Sequence, residues 1–235
     1  MDSKQNLIID LSGGKDSTAM VLLAAERGMR IHSMVFFDTG WEFPQMYPHL
    51  DKLVNKVDFP MVRLTPKRSF AEELNLNRWP SFGREWCRRR KINAVDKYAR
   101  KHNAVQLIGF AADETKRTKS KELSKKAVAF PLIKWGVTEK DALAHCYKQG
   151  FDWSGLYNHF DRVSCFCCPF KKIGDYRKIR KHYPVLWQRM LKMDKMVNPN
   201  RGFYGYKTVH DLDHRFFMED RQLSLIFSTG AKDAL

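Results

Sequence analysis

Long apolar runs are missing from this chain. None of its 235 residues falls in a stretch near the roughly 20 apolar residues that a membrane-spanning helix needs, and mean hydropathy is -0.51, so no membrane partner is expected. Met1 to Gln5 are polar and carry no apolar signal segment, which makes the cytoplasm the default location. No internal repeat or low-complexity tract occurs, which removes solenoid and disordered readings. Cysteine is scarce and odd in number: Cys87, Cys146, Cys165, Cys167 and Cys168. Such a set argues against a disulfide framework. Acidic residues are in deficit, 26 Asp and Glu against 42 Lys and Arg, for a net charge of +16. A surface of that sign attracts polyanions, with nucleotides, DNA and RNA the natural candidates.

What is present is a core. Hydrophobic residues make up 43% of the chain and aromatics 13%, too much for a disordered protein and enough for one domain with a small appendage. Apolar runs at Asn6–Leu11, Ile31–Phe37, Pro60–Leu64, Ala104–Phe110 and Ala127–Leu132 predict five strands. Helical patterns alternate with them: Thr18–Arg27, a helix after Pro44 to about Val57, Arg88–His102, and 138–149 with Thr138 as N-cap before Glu139 and Asp141. The alternation implies βαβ units and a parallel sheet. Thr65 to Trp86 reads as loop with a short helix, and the very basic stretch from Ala111 to Lys126 as mobile. Beyond Asp152 the strand pattern stops. Helices are expected over Asp175–His182 and Pro184–Val197, the second with Val185, Leu186, Met190, Met193 and Val197 as its apolar face, and the tail from Ser228 to Leu235 is expected to fray. The division that follows is an α/β domain over 1–150 and a mainly helical, cysteine-containing region over 151–235.

Two constellations carry chemistry. The first is Ser12-Gly13-Gly14-Lys15-Asp16-Ser17, between the first strand and the first helix. A helix N-terminus presents unpaired N–H groups and partial positive charge. Gly13 and Gly14 let backbone close around oxygens, Ser12 and Ser17 add hydroxyls, and Lys15 adds a cation. Asp16 beside a phosphate is repulsive unless it holds Mg²⁺ or a proton donor. The string is not a Walker A loop. The second constellation is Cys165-Phe166-Cys167-Cys168-Pro169, whose Cys-x-x-Cys-Pro spacing suits zinc or an iron–sulfur cluster equally. Cys87 follows Trp86 at a helix start, where thiolate is favoured. Cys146 shares a helical face with Leu143 and Tyr147 and reads as core.

Ser12 to Ser17 resembles the PP-loop of the ATP pyrophosphatase superfamily. More narrowly, the chain resembles the phosphoadenosine-phosphosulfate (PAPS) reductase family. Phe37-Asp38-Thr39-Gly40-Trp41-Glu42-Phe43-Pro44, Trp86-Cys87-Arg88, Gly109 to Arg117, Phe130 to Trp135 and Cys165-x-x-Cys168-Pro169 are similar to that family's later blocks, in family order, over roughly residues 6 to 170. The resemblance implies a Rossmann-like, HUP-type sheet of five parallel strands with a helical C-terminal cap. It implies an adenine nucleotide, ATP with Mg²⁺, lying over the strand ends. Ser12, Gly13, Gly14, Lys15, Asp16 and Ser17 would hold phosphates, with Lys15 and Asp16 catalytic. Asp38, Thr39, Gly40 and Gly109 would line the nucleotide site, and Arg117 would reach back over the phosphates. It implies a [4Fe–4S] cluster on Cys87, Cys165, Cys167 and Cys168, zinc being the alternative and the ligand among the tandem pair open.

PAPS reductases proper carry a C-terminal Glu-Cys-Gly-Leu/Ile-His segment; here no cysteine follows Cys168. Three basic groups mark the other departure: Arg84, Arg88 to Lys91; Lys116 to Lys126; and Lys171 to Lys181 with Tyr176 and Tyr183 nearby. The expected activity is therefore ATP pyrophosphatase chemistry that adenylates an acceptor for sulfur transfer. The preferred acceptor is a nucleic acid, as in DNA phosphorothioation or tRNA thiolation. A cysteine desulfurase as sulfur donor and a homodimer are the further partners implied. The alternatives are a sulfonucleotide reductase without the usual cysteine and a non-catalytic nucleotide-gated nucleic-acid-binding module.

Overall fold

The computed structural model describes residues 5–120, 123–197 and 202–230, without the side chains of 223–230. In chain order the elements are β1 (Asn6–Leu11), α1 (Lys15–Glu26), β2 (Ser33–Phe37), α2 (Met46–Lys56), β3 (Met61–Leu64), α3 (Phe70–Asn77), α4 (Trp86–Lys101) and β4 (Ala104–Ile108). There follow β5 (Val128–Ala129), α5 (Pro131–Lys134), α6 (Glu139–Lys148), α7 (Leu156–His159), α8 (Ile173–His182), α9 (Pro184–Asp194) and α10 (Val209–Gly230). The chain folds as two compact units, residues 1–67 with 87–165, and residues 68–86 with 166–235.

The first unit holds one parallel sheet of five strands in the order β3-β2-β1-β4-β5. Ile8, Ile9 and Leu11 of β1 and all of β2 are buried, as expected of strands covered on both faces. On one face, Ile8 and Val35 pack against Val95 and Ala99 of α4. On the other, α1 is buried at every position from Ser17 to Ala24, and its alanines admit α6 alongside. Helix α6 starts as its sequence predicts: Thr138 and Asp141 form a reciprocal capping box. The strand order reverses between β1 and β4. In open α/β sheets that reversal opens a crevice beyond the carboxyl ends of the two strands, and ligands bind there.

Several local expectations are corrected. The fifth strand stops at Ala129 instead of Leu132, because Pro131 enters α5 at its first turn, where a missing N–H is harmless. Within the basic stretch 111–126, Ala112–Lys119 and Leu123–Lys125 wind into 3₁₀ turns that the sequence pattern did not indicate, while Lys121 lies outside the described residues. Val185 is not on the buried face of α9; it is 79% exposed, while Leu186, Met190 and Met193 are buried. Of the tail expected to fray, residues 228–230 continue α10 as helix, and residues 231–235 lie outside the described set. Among the described residues no helix is long and apolar enough to cross a membrane.

In the second unit, Asp194 at the end of α9 is 8% exposed and ties three donors together. Its Oδ1 accepts from Trp79 Nε1 at 2.8 Å, and its Oδ2 from the N–H groups of Val209 and His210, at 2.7 and 3.4 Å. It thus caps α10 and anchors the 68–86 segment at once. Asp194→Ala leaves those donors buried and unmatched, and chemical denaturation should show a loss of about 3 kcal/mol or more. A loss below about 1 kcal/mol would mean that water replaces the carboxylate.

Candidate functional site

The turn after β1 sits at the strand-order reversal. Gly13 has φ +77°, and a Cβ there would lie 2.4 Å from Met46 Sδ, so the backbone conformation and the packing both call for glycine. Gly14 carries the chain into α1 in extended conformation. Ser12 Oγ and Ser17 Oγ are 3.0 Å apart, and Ser17 Oγ donates to Gly14 O at 3.1 Å. The end of β4 closes the other side: a Cβ on Gly109 would lie 3.1 Å from both Cα and N of Ser17. Six loop residues and Gly109 are therefore brought together.

Lys15 is 5% exposed, and its ammonium pairs with Glu139 at the first turn of α6. Its N–H donates to Tyr157 Oη at 2.7 Å. A phosphate oxygen at this helix start would compete with both partners. Asp16 differs: its Oδ1 is buried and, among the described residues, accepts no hydrogen bond. Burial, with Lys15 opposing and Glu139 and Glu114 assisting, pushes its carboxyl up to about 6. A carboxylate oxygen left in this condition could hold a divalent cation such as Mg²⁺.

The residues after β2 form a separate network. Asp38 Oδ2 accepts from Arg63, with Nε at 2.9 Å, and its Oδ1 accepts from Gly40 N–H at 2.8 Å and Tyr47 Oη at 3.0 Å. Burial would raise this carboxyl, but Arg63, Gly40 and Tyr47 outweigh it and hold it below the usual carboxylate range. Thr39 Oγ1 donates to buried Glu42 at 2.9 Å and accepts from Trp41 N–H at 3.0 Å. Arg117 forks onto Glu114, at 2.7 and 2.9 Å, and lies over the Phe110 ring, 4.1 Å from its centroid.

Residues that sequence patterns did not single out shape the loop from behind. Trp153 Nε1 donates to Gly13 O at 2.7 Å. Trp153 and Ser154 have φ +51° and +50°, and Gly155 follows at +79°, a run of left-handed residues that aims Trp153 and Tyr157 at one turn. His49 stacks on Trp153 with centroids 4.5 Å apart and meets Thr18 Oγ1 at 3.0 Å. Burial and nearby Lys52 lower it to about 4, so it is neutral. No spacing rule reveals these groups; only the tertiary contact does.

The cysteines are distributed differently. Cys146 is wholly buried, as its helical face predicts, and its Sγ lies 3.5 Å from Lys15 O. Cys165 Sγ lies 3.6 Å from Thr39 Oγ1 and from Glu42 Oε1. Cys167 is wholly buried, and Cys87 and Cys168 partly so. Among the described residues no group of three or more His, Cys, Asp or Glu is arranged to hold a metal ion.

The family model for the phosphoadenosine phosphosulfate reductase domain matches residues 6–181. The chain belongs to this family. The chain is 27% identical to the Uncharacterized protein MJ0973 of Methanocaldococcus jannaschii over 211 residues, 83% of this chain and 50% of that one. It is 26% identical to Sulfate adenylyltransferase subunit 2 of Buchnera aphidicola over 125 residues, 52% of this chain and 41% of that one. The chain thus spans half, or less, of the curated relatives it matches. Among solved structures, the NH3-dependent NAD synthetase from Campylobacter jejuni is similar with TM-score 0.48 and 12% identity, over 83% of this chain and 88% of that one.

The state of Asp16 gives a pH-dependent outcome. With the folded pKa raised, its contribution to stability is complete below about pH 4 and is lost as pH rises toward about 6. Asp16→Asn removes the burden. Denaturant unfolding at pH 7 should find this variant more stable by about 1–2 kcal/mol, with the gain gone near pH 4. An equal difference at both pH values would show that Asp16 does not titrate in this way.

Proposed function

We propose that this PAPS reductase-family chain is an ATP pyrophosphatase that adenylates an acceptor for sulfur transfer, with a nucleic acid as acceptor. The observation that supports it best is Asp16, whose buried Oδ1 has no hydrogen-bond partner among the described residues, in the first turn of a helix that opens on the strand-order reversal. An acceptor oxygen attacks the α-phosphorus, the bond to the bridging α–β oxygen breaks, and pyrophosphate leaves with that electron pair. Sulfur at the sulfide level, released from the donor's persulfide by a thiol that is oxidised to a disulfide, then attacks the activated atom of the acceptor, and AMP leaves with the acceptor oxygen and its electron pair. Asp16 would hold Mg²⁺, which neutralises phosphate charge when bound. Lys15 exchanges Glu139 for the leaving pyrophosphate, and its N–H exchanges Tyr157 for a phosphate oxygen. Both donors are buried beside the loop, and each gives up a protein partner when the polyphosphate binds. A cytoplasmic location, a cysteine desulfurase as sulfur donor and a homodimer complete the reading.

ATP and Mg²⁺, incubated with the chain and DNA or RNA, should give AMP and pyrophosphate in equal amounts. Lys15→Met should slow this by about 100-fold or more. ADP and phosphate as products would overturn the reading. Sulfite released from labelled adenylyl sulfates would select the reductase alternative, and nucleic-acid binding with no nucleotide consumed would select the non-catalytic one.

The cysteines carry a separable part of the proposal. Cys87, Cys165, Cys167 and Cys168 would hold a [4Fe–4S] cluster, with zinc as the alternative. Anaerobic purification should yield iron and a broad absorption near about 400 nm that Cys87→Ser abolishes. Zinc without iron selects the alternative, and neither metal removes the centre.

A further inference from the structure

The second unit carries two tight turns of similar design. In Trp79-Pro80-Ser81-Phe82-Gly83-Arg84, the N–H and C=O of Ser81 and Arg84 pair with each other, at 2.8 and 3.4 Å. In Phe203-Tyr204-Gly205-Tyr206-Lys207, Tyr204 and Lys207 do the same, at 2.9 and 3.1 Å. Gly83 and Gly205 supply the positive φ, +81° and +64°. Each turn begins on a buried aromatic, Trp79 or Phe203, and these two rings pack edge to face at 4.7 Å. Three residues beyond each anchor an aromatic stands in solvent: Phe82 is 87% exposed and Tyr206 100%. Exposed Arg84 and Lys207 close the turns.

Nothing in the fold explains the tips. Large apolar side chains held out on rigid turns bury no core area. The turns are built for rigidity: a Cβ on Gly202 would lie 2.3 Å from the Tyr206 backbone, so only glycine lets the second turn fold back so tightly. Phe82 is also braced by the Phe170 ring, 4.9 Å away and itself 39% exposed. A rigid aromatic loses little entropy when it stacks. Between Phe166 and Leu235 the chain has fourteen Lys and Arg against seven Asp and Glu. An aromatic face beside a cation, in a positive field, is complementary to a base followed by its phosphate.

We propose that these two turns bind single-stranded nucleic acid, Phe82 and Tyr206 each stacking on a base and Arg84 and Lys207 meeting the neighbouring phosphates. This names the class of acceptor in the function proposed above and rests on that reading only for its purpose; the binding itself needs no ATP.

Fluorescence anisotropy of the full chain with labelled oligo-dT and oligo-rU, without nucleotide, tests it. Binding should weaken with salt. Phe82→Ala and Tyr206→Ala should each cost about 5- to 100-fold in affinity, and Phe82→Trp should retain it. Thermal unfolding should not change, because both tips are exposed. Lys15→Met should bind oligonucleotide normally, so failed ATP cleavage and failed binding are distinguishable. The proposal is overturned if the double alanine variant binds like the parent, which would mean charge alone. It is equally overturned if duplex is preferred, or if neither oligonucleotide binds, which would leave the tips to a protein partner.

Discussion

Gly109 directly follows strand β4, and a methyl group there would press on the backbone of Ser17. That close approach is the constraint on which the candidate site depends. It lets the end of β4 meet the first turn of α1 with no side chain between them, at the place where the strand order reverses. The loop after β1 is thereby enclosed rather than splayed. Trp153 donates to Gly13 O and Tyr157 accepts from Lys15 N–H, so two side chains brace the loop.

Enclosure has electrostatic consequences. Lys15 could not be buried with its charge uncompensated, and Glu139 compensates it. The same Glu139, together with burial, makes Asp16 a reluctant carboxylate. One acidic residue thus stabilises the cation the loop needs and raises the cost of ionising the carboxylate beside it. Arrival of a polyphosphate with its cation would reverse both effects: Lys15 gains a partner of higher charge, and Asp16 gains a positive neighbour. Asp38 lies outside this exchange, since Arg63, Gly40 and Tyr47 already fill its acceptor sites.

The sheet was legible because its signals are local. Short apolar strands alternating with amphipathic helices, ended by glycines or capped by Thr138, define each element without reference to the rest. The loop was legible for the same reason: Ser12 to Ser17 are contiguous. What stayed hidden is tertiary. Glu139 looked like a favourable first-turn acid, and it is also the partner of Lys15, 124 residues away. Trp153 and Tyr157 lie in a short segment with no period, and their role follows from left-handed backbone that Ser154 gives no sign of adopting. Glu114, three residues before Arg117, offered a local pairing, but nothing in the sequence marked the Phe110 ring beneath the guanidinium.

Charge runs mislead for a related reason. The basic group from Lys171 to Lys181 invites a reading as a polyanion track with Tyr176 interleaved. Tyr176 is wholly buried, its hydroxyl donating to Cys168 O at 2.7 Å, and it cannot stack on a base. Arg177 pairs with Glu219, and Arg180 with Asp213 and Asp220, all on α10. Lys171 is 7% exposed. Much of that run is consumed in attaching α8 to α10, and α10 gives no strand-like or basic signal to announce it. Cations available to a partner are better sought where the backbone presents them beside exposed rings, as at Arg84 and Lys207. A count along the sequence weights a buried, paired arginine and an exposed one equally, while a polyanion meets only the second.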